Sequence, residues 1–400
     1  MSPLPDFNLE TFFSRWEFAA RHHLTASDAQ TVSVGELLAL GTDADRAEFA
    51  SLGLGYIPTW GGDALRAAIA GTYERIAPED VLCFAGAEEA MYLLMRALAG
   101  PGDHVVITVP NYQSMETLPL AFGAEVTGVT LRCPPASGLA PYGPFGGASG
   151  ALPDRGWTLD LDEVRRALRP NTRLVAVNFP NNPTGAVPDR ATFEGLVALC
   201  AERGVRLLSD EVHRGLELDS ARRLPQAADL SPTALSLNVM SKSYGLPGLR
   251  VGWLASGDRA LLGRLERLKH YTSICNSAPS EFLSTLALRH GETLQGRNRA
   301  LIAANIPIFQ AFFARWLEVF DWAPPQGGCI CFPRYLGGDG VEAFCEALVR
   351  DAGVLLAPAS LFQSALADVP RDRFRLGIGR SNPGPALDAM DAFLADRAGK

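Results

Sequence analysis

The middle of this 400-residue chain alternates short apolar runs, rich in β-branched residues, with longer amphipathic stretches. The apolar runs are His104–Val109, Glu125–Leu131, Arg173–Phe179, Val205–Ser209, Ala234–Met240 and Arg250–Ala255. Stretches between such runs, for example Ala87–Ala99 and Arg190–Arg203, have helical spacing. Strands that alternate with helices predict an α/β architecture with crossover units around a mostly parallel sheet. Ligands of such sheets bind at the carboxyl ends of the strands, so we expect a functional site there.

The two ends of the chain have a different pattern. A helix candidate, Leu9–His22, is followed by an irregular stretch, and a long amphipathic helix begins at about Gly291. The remainder mixes helices with short strands. We therefore predict a large domain over residues 51–290 and a smaller α+β domain made from residues 1–50 and 291–400.

Composition narrows the functional class. Hydrophobic residues make up 47% and charged residues 20%, which is typical of a globular protein. The net charge of −8 and the lack of a Lys/Arg block argue against nucleic-acid binding. No apolar run reaches bilayer length, and we expect neither a membrane segment nor a secretory signal. The seven cysteines form no CxxC pair, so we predict reduced thiols in a cytoplasmic protein without a metal site.

A Pro- and Gly-rich stretch, Cys133–Gly156, interrupts the pattern. Proline fixes the backbone and removes a hydrogen-bond donor, so this stretch fits neither a helix nor a central strand. We expect a surface loop without an assigned function.

Four segments carry the chemistry of the chain. They are Gly86-Ala87-Glu88-Glu89-Ala90, Asn181-Asn182-Pro183-Thr184-Gly185, Ser209-Asp210-Glu211-Val212-His213 and Ser241-Lys242-Ser243-Tyr244-Gly245-Leu246-Pro247-Gly248-Leu249-Arg250. In this order and spacing they resemble class I/II aminotransferases, the fold-type-I enzymes that use pyridoxal 5′-phosphate (PLP). The resemblance extends from about Tyr56 to Arg375. It implies PLP as cofactor and a mostly parallel sheet sandwiched by helices in the large domain.

Lys242, Asp210 and Asn182 are the central residues that the resemblance implies. Lys242 matches the lysine that forms a Schiff base with PLP, and burial beside a cofactor would let its free amine act as a base at the substrate Cα. Asp210 matches the carboxylate that keeps the pyridine nitrogen protonated, with a helix N-cap as the alternative. Asn182 matches the asparagine that binds the ring 3′-oxygen near the substrate carboxylate.

The phosphate of PLP needs several hydrogen-bond donors. Gly86, Ala87 and Glu88 begin a helical pattern, whose free N–H groups and dipole can receive a dianion. The resemblance assigns Ser241 and Arg250 as side-chain phosphate ligands, although Arg250 also fits an ordinary surface ion pair.

Two tyrosines complete the expected cofactor site. Tyr112 matches the aromatic residue that stacks on the PLP ring, with a half-buried core tyrosine as the alternative. Tyr56 is similar to the tyrosine that reaches the phosphate of the neighbouring subunit. The resemblance therefore implies a homodimer with a shared active site.

Three positions depart from the family pattern. His213 stands where a tyrosine often donates to the 3′-oxygen, and its charge varies near neutral pH. Val239 replaces a Ser or Thr hydroxyl that usually meets the phosphate. Glu88 replaces a small hydroxyl residue, and we expect its carboxylate to point away from the phosphate, because like charges repel.

The substrate side of the site rests on three further residues. Arg375 matches the arginine that binds the substrate α-carboxylate, a bidentate task suited to guanidinium, although nearby arginines leave the register open. In the amino-terminal part stand three stretches: Trp16-Glu17-Phe18-Ala19-Ala20, Leu24-Thr25-Ala26-Ser27-Asp28 and Ser33-Val34-Gly35-Glu36-Leu37-Leu38. They are similar to a subgroup that includes capreomycidine synthase and PLP-dependent arginine oxidases. Glu17 and Asp28 are then candidate partners for a cationic substrate side chain, with a solvated glutamate and an N-cap aspartate as the alternatives.

The function that the resemblance implies first is amino transfer from an amino acid to a 2-oxo acid. The alternative is a PLP-dependent cyclase, lyase or oxidase that acts on arginine or a modified arginine. A non-catalytic PLP-binding module, as in some transcription regulators, is remote. Such regulators need a DNA-binding module, and the first 50-odd residues contain no basic helix-turn-helix pattern.

Overall fold

A computed structural model describes residues 4–133 and 156–398 of the chain. Almost all of the predicted surface loop Cys133–Gly156 lies outside the described residues, so its structure stays a prediction.

The described helices, in chain order, are α1 Asn8–Trp16, α2 Val34–Ala39, α3 Asp43–Ala50, α4 Asp63–Ala70, α5 Ala87–Leu98, α6 Ser114–Ala121, α7 Leu161–Ala167, α8 Arg190–Glu202, α9 Ala227–Leu230, α10 Arg259–Lys269, α11 Ala278–Arg289, α12 Gly291–Arg315, α13 Val341–Ala347 and α14 Gly384–Ala398. The described strands are β1 His22–His23, β2 Val81–Phe84, β3 His104–Val109, β4 Glu125–Thr130, β5 Thr172–Asn178, β6 Arg206–Asp210, β7 Ala234–Val239, β8 Gly252–Ala255, β9 Phe320–Asp321, β10 Ile330–Cys331, β11 Arg334–Tyr335, β12 Val354–Leu355, β13 Ala357–Pro358 and β14 Phe374–Gly377.

Strands β2 to β8 form a seven-stranded sheet in the order β2-β8-β7-β6-β5-β3-β4. Strand β8 is antiparallel to both of its neighbours, whereas the other neighbouring pairs are parallel. Strands β3 and β7 are buried along their whole length, which explains why most of their residues are apolar. The predicted mostly parallel α/β sheet is confirmed, with strand bounds within two residues of those expected.

Helices cover both faces of this sheet. Val106 and Val175 pack in one core with Phe193 of α8, whereas their neighbours Val105 and Leu174 pack in a second core that includes residues of α5 and α10. Successive side chains of a strand point to opposite faces, so the two cores lie on opposite sides of the sheet. The predicted sandwich of helices around the sheet is therefore confirmed.

The amino-terminal segment is bound to the carboxy-terminal part of the chain. Strand β1 pairs in parallel with β12, and the Gly377 N–H donates to the Leu24 carbonyl at 2.8 Å. The predicted helix Leu9–His22 is wrong in its second half, because α1 ends at Trp16 and the chain then turns into β1. Pairing with β12 overrides the local helical preference there. The division into residues 1–50, 51–290 and 291–400 stays a prediction.

Among the described residues, no helix is both long enough and apolar enough to cross a lipid bilayer.

Candidate active site

Three polar residues follow neighbouring strands at one edge of the sheet. Asn182 lies in the turn after β5, Asp210 is the last residue of β6, and Lys242 follows β7. Since β7, β6 and β5 are adjacent and parallel, their carboxyl ends bring these residues to one edge.

Lys242 is held by a segment from the start of the chain. Its Nζ donates a hydrogen bond to Ser27 Oγ at 2.8 Å, and its carbonyl accepts from the Ala29 N–H at 3.4 Å. Burial lowers the pKa of the Lys242 amine, and the charge of Arg375 lowers it further, whereas Asp28 opposes the shift. The amine is therefore easier to deprotonate than that of a solvated lysine.

Asp210 is a buried carboxylate with few donors. Its Oδ1 accepts from the Val212 N–H at 3.2 Å, and burial raises the pKa of the carboxyl to about 7. Lys242 favours the charged form. A carboxylate in this environment is fully ionised at neutral pH only when a further cation lies beside it.

His213 is buried with both ring nitrogens unpartnered among the described residues. Burial, together with the charges of Lys242 and Arg375, holds the pKa of the His213 imidazole well below its usual range. A neutral imidazole without a partner is an unsatisfied donor and acceptor, which is costly unless a ligand supplies the missing hydrogen bond.

Gly86, Arg250 and Ser241 meet in one corner. Gly86 has φ of 98°, and a Cβ there would lie 2.6 Å from Arg250 Nη2, so only glycine admits this approach. Arg250 Nη1 lies 3.5 Å from Ser241 Oγ. Helix α5 begins at Ala87, directly after Gly86, and the free N–H groups of a first helical turn point towards the helix start. The corner thus combines a guanidinium, a hydroxyl and a helix N-terminus, as a phosphate requires.

Tyr112 lies against the amino-terminal segment. Its hydroxyl donates to Glu10 Oε1 at 2.6 Å, and its ring centroid is 4.9 Å from that of Phe7. Glu88 accepts from Ser114 Oγ at 3.0 Å, and burial, followed by the charges of Glu10 and Asp210, raises the pKa of its carboxyl to about 8. The Glu88 side chain is thus within electrostatic reach of Asp210, and its orientation relative to a phosphate stays a prediction.

Arg375 is 1% exposed and is held on three of its five N–H groups. Its Nε and Nη2 donate to the Thr25 hydroxyl and carbonyl at 3.3 and 2.8 Å, and its Nη1 donates to Asn182 Oδ1 at 3.2 Å. Phe13 and Phe362 lie 5.4 Å from the guanidinium. Burial lowers the pKa of Arg375 to about 10, so it remains charged at neutral pH.

No carboxylate of the described ranges lies within ion-pairing distance of Arg375. Its neighbours are engaged elsewhere, since Arg373 donates to the Phe332 carbonyl at 2.8 Å and Arg380 pairs with Asp28 at 2.7 Å. Arg375 is therefore a buried cation with two N–H groups left for an anion, and its role as the carboxylate-binding arginine stays a prediction.

Glu17 and Asp28 lie near this group of cations. Asp28 is ion-paired with Arg380, and its charge acts on Lys242. Burial and the charges of Glu10 and Asp28 raise the pKa of the Glu17 carboxyl. Glu17 is thus close to two other carboxylates, whereas Asp28 is an ion-pair partner rather than a helix N-cap.

Tyr56 does not join these residues within one chain. Tyr56 is 92% exposed, and Leu54 and Tyr271 are also largely exposed. The structure brings together every other residue expected at the site.

Three contacts were missed by the sequence prediction: Thr25 with Arg375, Ser27 with Lys242, and Glu10 with Tyr112. The hydroxyl residues carry no local pattern that would single them out. A signal for Glu10 existed, because it lies seven positions before Glu17 and such residues share one face of a helix.

Comparison with known proteins agrees with this geometry. The model of the family described as aminotransferase class I and II matches residues 42–383. The chain belongs to this family. It is 32% identical to capreomycidine synthase of Streptomyces vinaceus over 99% of this chain and 94% of that protein. It is 35% identical to arginine–pyruvate transaminase of Pseudomonas aeruginosa over 53% of this chain and 50% of that protein.

A solved structure of a PLP-dependent aminotransferase from Streptococcus suis has the same fold as this chain. The TM-score is 0.86 at 27% identity, with 98% of each chain covered. Family membership and this neighbour identify PLP as the cofactor of the chain. The residues present fit PLP. The unpartnered imidazole of His213 fits the ring oxygen of PLP, and the buried carboxyl of Asp210 fits its protonated ring nitrogen. The corner at Gly86 and Arg250 fits its phosphate.

Proposed function

We propose that this protein is a PLP-dependent aminotransferase whose amino donor is a cationic, arginine-like amino acid. One observation carries the proposal: a buried Arg375 with two free N–H groups lies beneath a helix face that bears carboxylates. Glu10, Phe13 and Glu17 are at positions i, i+3 and i+7, so they share one face of α1 and its last turn. Phe13 lies 5.4 Å from the Arg375 guanidinium, which places that face over it.

The two ends of the donor are then bound by opposite charges. The α-carboxylate takes the two remaining N–H groups of Arg375 as a bidentate pair, while Thr25 and Asn182 keep the guanidinium in place. The cationic side chain is bound by Glu17 and Glu10. Asp28 is committed to Arg380, so its share in binding this cation is smaller.

Lys242 is the amine to which PLP attaches. The whole sequence contains three lysines, and the other two are Lys269 and the terminal Lys400. Lys269 is buried and donates to the carbonyls of Thr59 and Cys83 at 2.7 and 2.8 Å. Lys242 is the lysine at the carboxyl edge of the sheet, and its lowered pKa suits an amine that removes the Cα proton.

The remaining residues hold the cofactor. When bound, PLP supplies an electron sink for the electrons left at Cα. Asp210 pairs with the protonated ring nitrogen, Tyr112 covers the ring, and His213 and Asn182 bind the ring oxygen. Ser241, Arg250 and the N–H groups at Gly86, Ala87 and Glu88 bind the phosphate.

A homodimer is part of the proposal. Leu54, Tyr56, Tyr271 and Ile274 are exposed apolar side chains, and the bond from Lys269 to the Thr59 carbonyl brings together the two segments that carry them. We infer that they lie in one patch. Contiguous exposed apolar side chains of this kind are typical of protein interfaces. In a dimer across this patch, Tyr56 would reach the phosphate corner of the partner subunit.

A second candidate is cyclisation, without net amino transfer, of a modified arginine with a hydroxyl at Cβ. The hydroxyl leaves as water, and a guanidine nitrogen of the same molecule forms the new C–N bond at Cβ. The similarity to capreomycidine synthase, which extends over 99% of the chain, favours it. Both candidates share the binding of a cationic amino acid and differ only in the steps after the Cα proton is lost.

The deciding experiment adds a panel of amino acids, including arginine and β-hydroxyarginine, to the purified enzyme without an acceptor. We expect the absorbance of the bound cofactor to shift to that of its amino form with arginine-like donors, and a 2-oxo acid to reverse the shift. Acidic donors should have no effect at the same concentration. Turnover that yields a cyclic product and leaves the cofactor in its aldehyde form would instead establish the second candidate. A lack of response to every amino acid would overturn both.

A further inference from the structure

The hydrogen bond between Lys242 Nζ and Ser27 Oγ joins residues that are far apart in sequence. The two atoms are 2.8 Å apart across 215 positions of the chain. The Ser27 hydroxyl is therefore the side-chain acceptor of the hydrogen bond from the Lys242 amine.

Ser27 belongs to a segment, residues 24–30, that is fixed on both sides of it. Thr25 binds Arg375, Asp28 pairs with Arg380, and the Gln30 N–H donates to the Gly379 carbonyl at 2.8 Å. A Cβ added at Gly377 would lie 2.2 Å from the Ala26 carbonyl oxygen, so the segment lies directly against β14. The Ser27 hydroxyl therefore has a set position relative to Lys242.

We propose that Ser27 is a positioning residue, which holds the Lys242 amine in the orientation from which it attaches the cofactor and removes the Cα proton. This inference rests on the proposed role of Lys242. A serine hydroxyl suits the task because it accepts from an ammonium and donates to a neutral amine. It therefore partners the lysine in both protonation states, whereas a carboxylate would keep it charged.

The hydrogen bond from Lys242 to Ser27 raises the proton affinity of the Lys242 amine. Hydrogen bonds that involve a charged group are stronger than neutral ones, so the Ser27 oxygen favours the ammonium form. Without it, the buried ammonium loses an acceptor, and the amine pKa falls further. Orientation is lost at the same time, which slows proton removal at Cα without weakening substrate binding at Arg375.

The test compares Ser27→Ala, Ser27→Cys and Ser27→Thr with Ser33→Ala as a matched control. Ser33 is in the same part of the chain but caps α2 by accepting from the Glu36 N–H at 3.1 Å, and it does not contact Lys242. The first readout is the rate at which cofactor-free protein attaches PLP as a function of pH. In that reaction a C=N bond forms between Nζ and the aldehyde carbon, water leaves, and only the neutral amine reacts.

We expect the midpoint of the pH profile to fall by about one pH unit in Ser27→Ala and Ser27→Cys. In the same two variants kcat should fall about tenfold, with KM for the donor changed less than about twofold. Ser27→Thr should restore both values, because threonine keeps the hydroxyl, and Ser33→Ala should match the parent protein.

Unchanged midpoints in Ser27→Ala and Ser27→Cys would overturn the inference, as would a failure of Ser27→Thr to restore them. Borohydride reduction followed by peptide mapping separates this failure from that of the proposed function. PLP fixed on a lysine other than Lys242 in the parent protein would overturn the proposed function itself. PLP on Lys242 with no effect of Ser27 would overturn only the positioning role.

Discussion

Arg375 Nη1 lies 3.2 Å from Asn182 Oδ1, so a strand near the end of the chain and the turn after β5 meet at one guanidinium. The contact orients a buried cation toward the edge of the sheet that carries Lys242. In the proposed function, binding of the substrate carboxylate by Arg375 and binding of the cofactor ring by Asn182 therefore both depend on the position of the Asn182 side chain.

Arg375→Lys should raise KM for amino acid donors about 100-fold, because lysine cannot form the bidentate pair with a carboxylate. Loss of a charge-assisted pair at a buried site costs about 2–3 kcal/mol, which corresponds to this factor. Steady-state kinetics at saturating acceptor would measure it. Arg373→Lys, two positions earlier in the chain, is the control and should change KM less than about threefold.

Glu17→Gln and Glu10→Gln should raise KM for arginine about tenfold and leave KM for a neutral amino acid unchanged. Each substitution removes one negative charge from the face of α1 that lies over Arg375, which weakens binding of a cation by about 1.4 kcal/mol. In Glu10→Gln the glutamine keeps an oxygen that can accept from the Tyr112 hydroxyl. Competition between the two donors would give the ratio directly. Glu48→Gln, on the exposed surface of α3, is the control. Equal losses for both donors would contradict a role in recognising the cation.

Asp210→Asn should stabilise the cofactor-free protein at high pH. The folded pKa of Asp210 is about 7, above the unfolded value of about 4, so between these values the folded state holds a proton that the unfolded state has released. The free energy of unfolding of the parent protein therefore falls as pH rises through this window. We expect the asparagine variant to be more stable by about 1–3 kcal/mol at pH 8, and by less at pH 5.

The same variant should bind PLP at least about tenfold more weakly, since an amide does not balance the charge of the ring nitrogen. Urea unfolding at both pH values and titration with PLP would measure the two effects. Stability that does not depend on pH relative to the parent protein would show that Asp210 is not the group that titrates.

Tyr56 can be tested with hybrid dimers. If Tyr56 acts in the partner's site, Tyr56→Ala and Lys242→Ala chains each lack activity or have little of it, but their hybrid contains one intact site. Equal mixing should then recover about a quarter of the parent activity, since half of the dimers are hybrids with one of two sites working. Co-expression with two affinity tags isolates the hybrid for assay. No recovery in the isolated hybrid would place Tyr56 in its own subunit's site or outside both.

The sequence predicts the site residues that lie next to recognisable strands and helices. Asp210 ends a recognisable strand, Asn182 and Lys242 each follow one within a few residues, and Gly86 directly precedes a recognisable helix. Apolar runs buried on both faces give the sheet in the same way.

The missed contacts link distant positions. Thr25 meets Arg375 across 350 positions, and Glu10 meets Tyr112 across 102. Threonine and glutamate at such sites differ in no local way from those on the surface. The end of α1 was misplaced for a related reason, because β1 exists only through its pairing with β12, more than 300 residues later.

The distance in sequence between Thr25 and Arg375 also means that the parts of the site form at different times during synthesis of the chain. The residues proposed to hold the cofactor, from Gly86 to Arg250, leave the ribosome while β14 is still unsynthesised. Their contacts close shorter loops than the link between the two ends, and shorter loops cost less entropy to close. In the proposed function, the newborn chain therefore completes the residues that hold PLP before it contains Arg375, and the group for the substrate carboxylate is the last part of the site to be made.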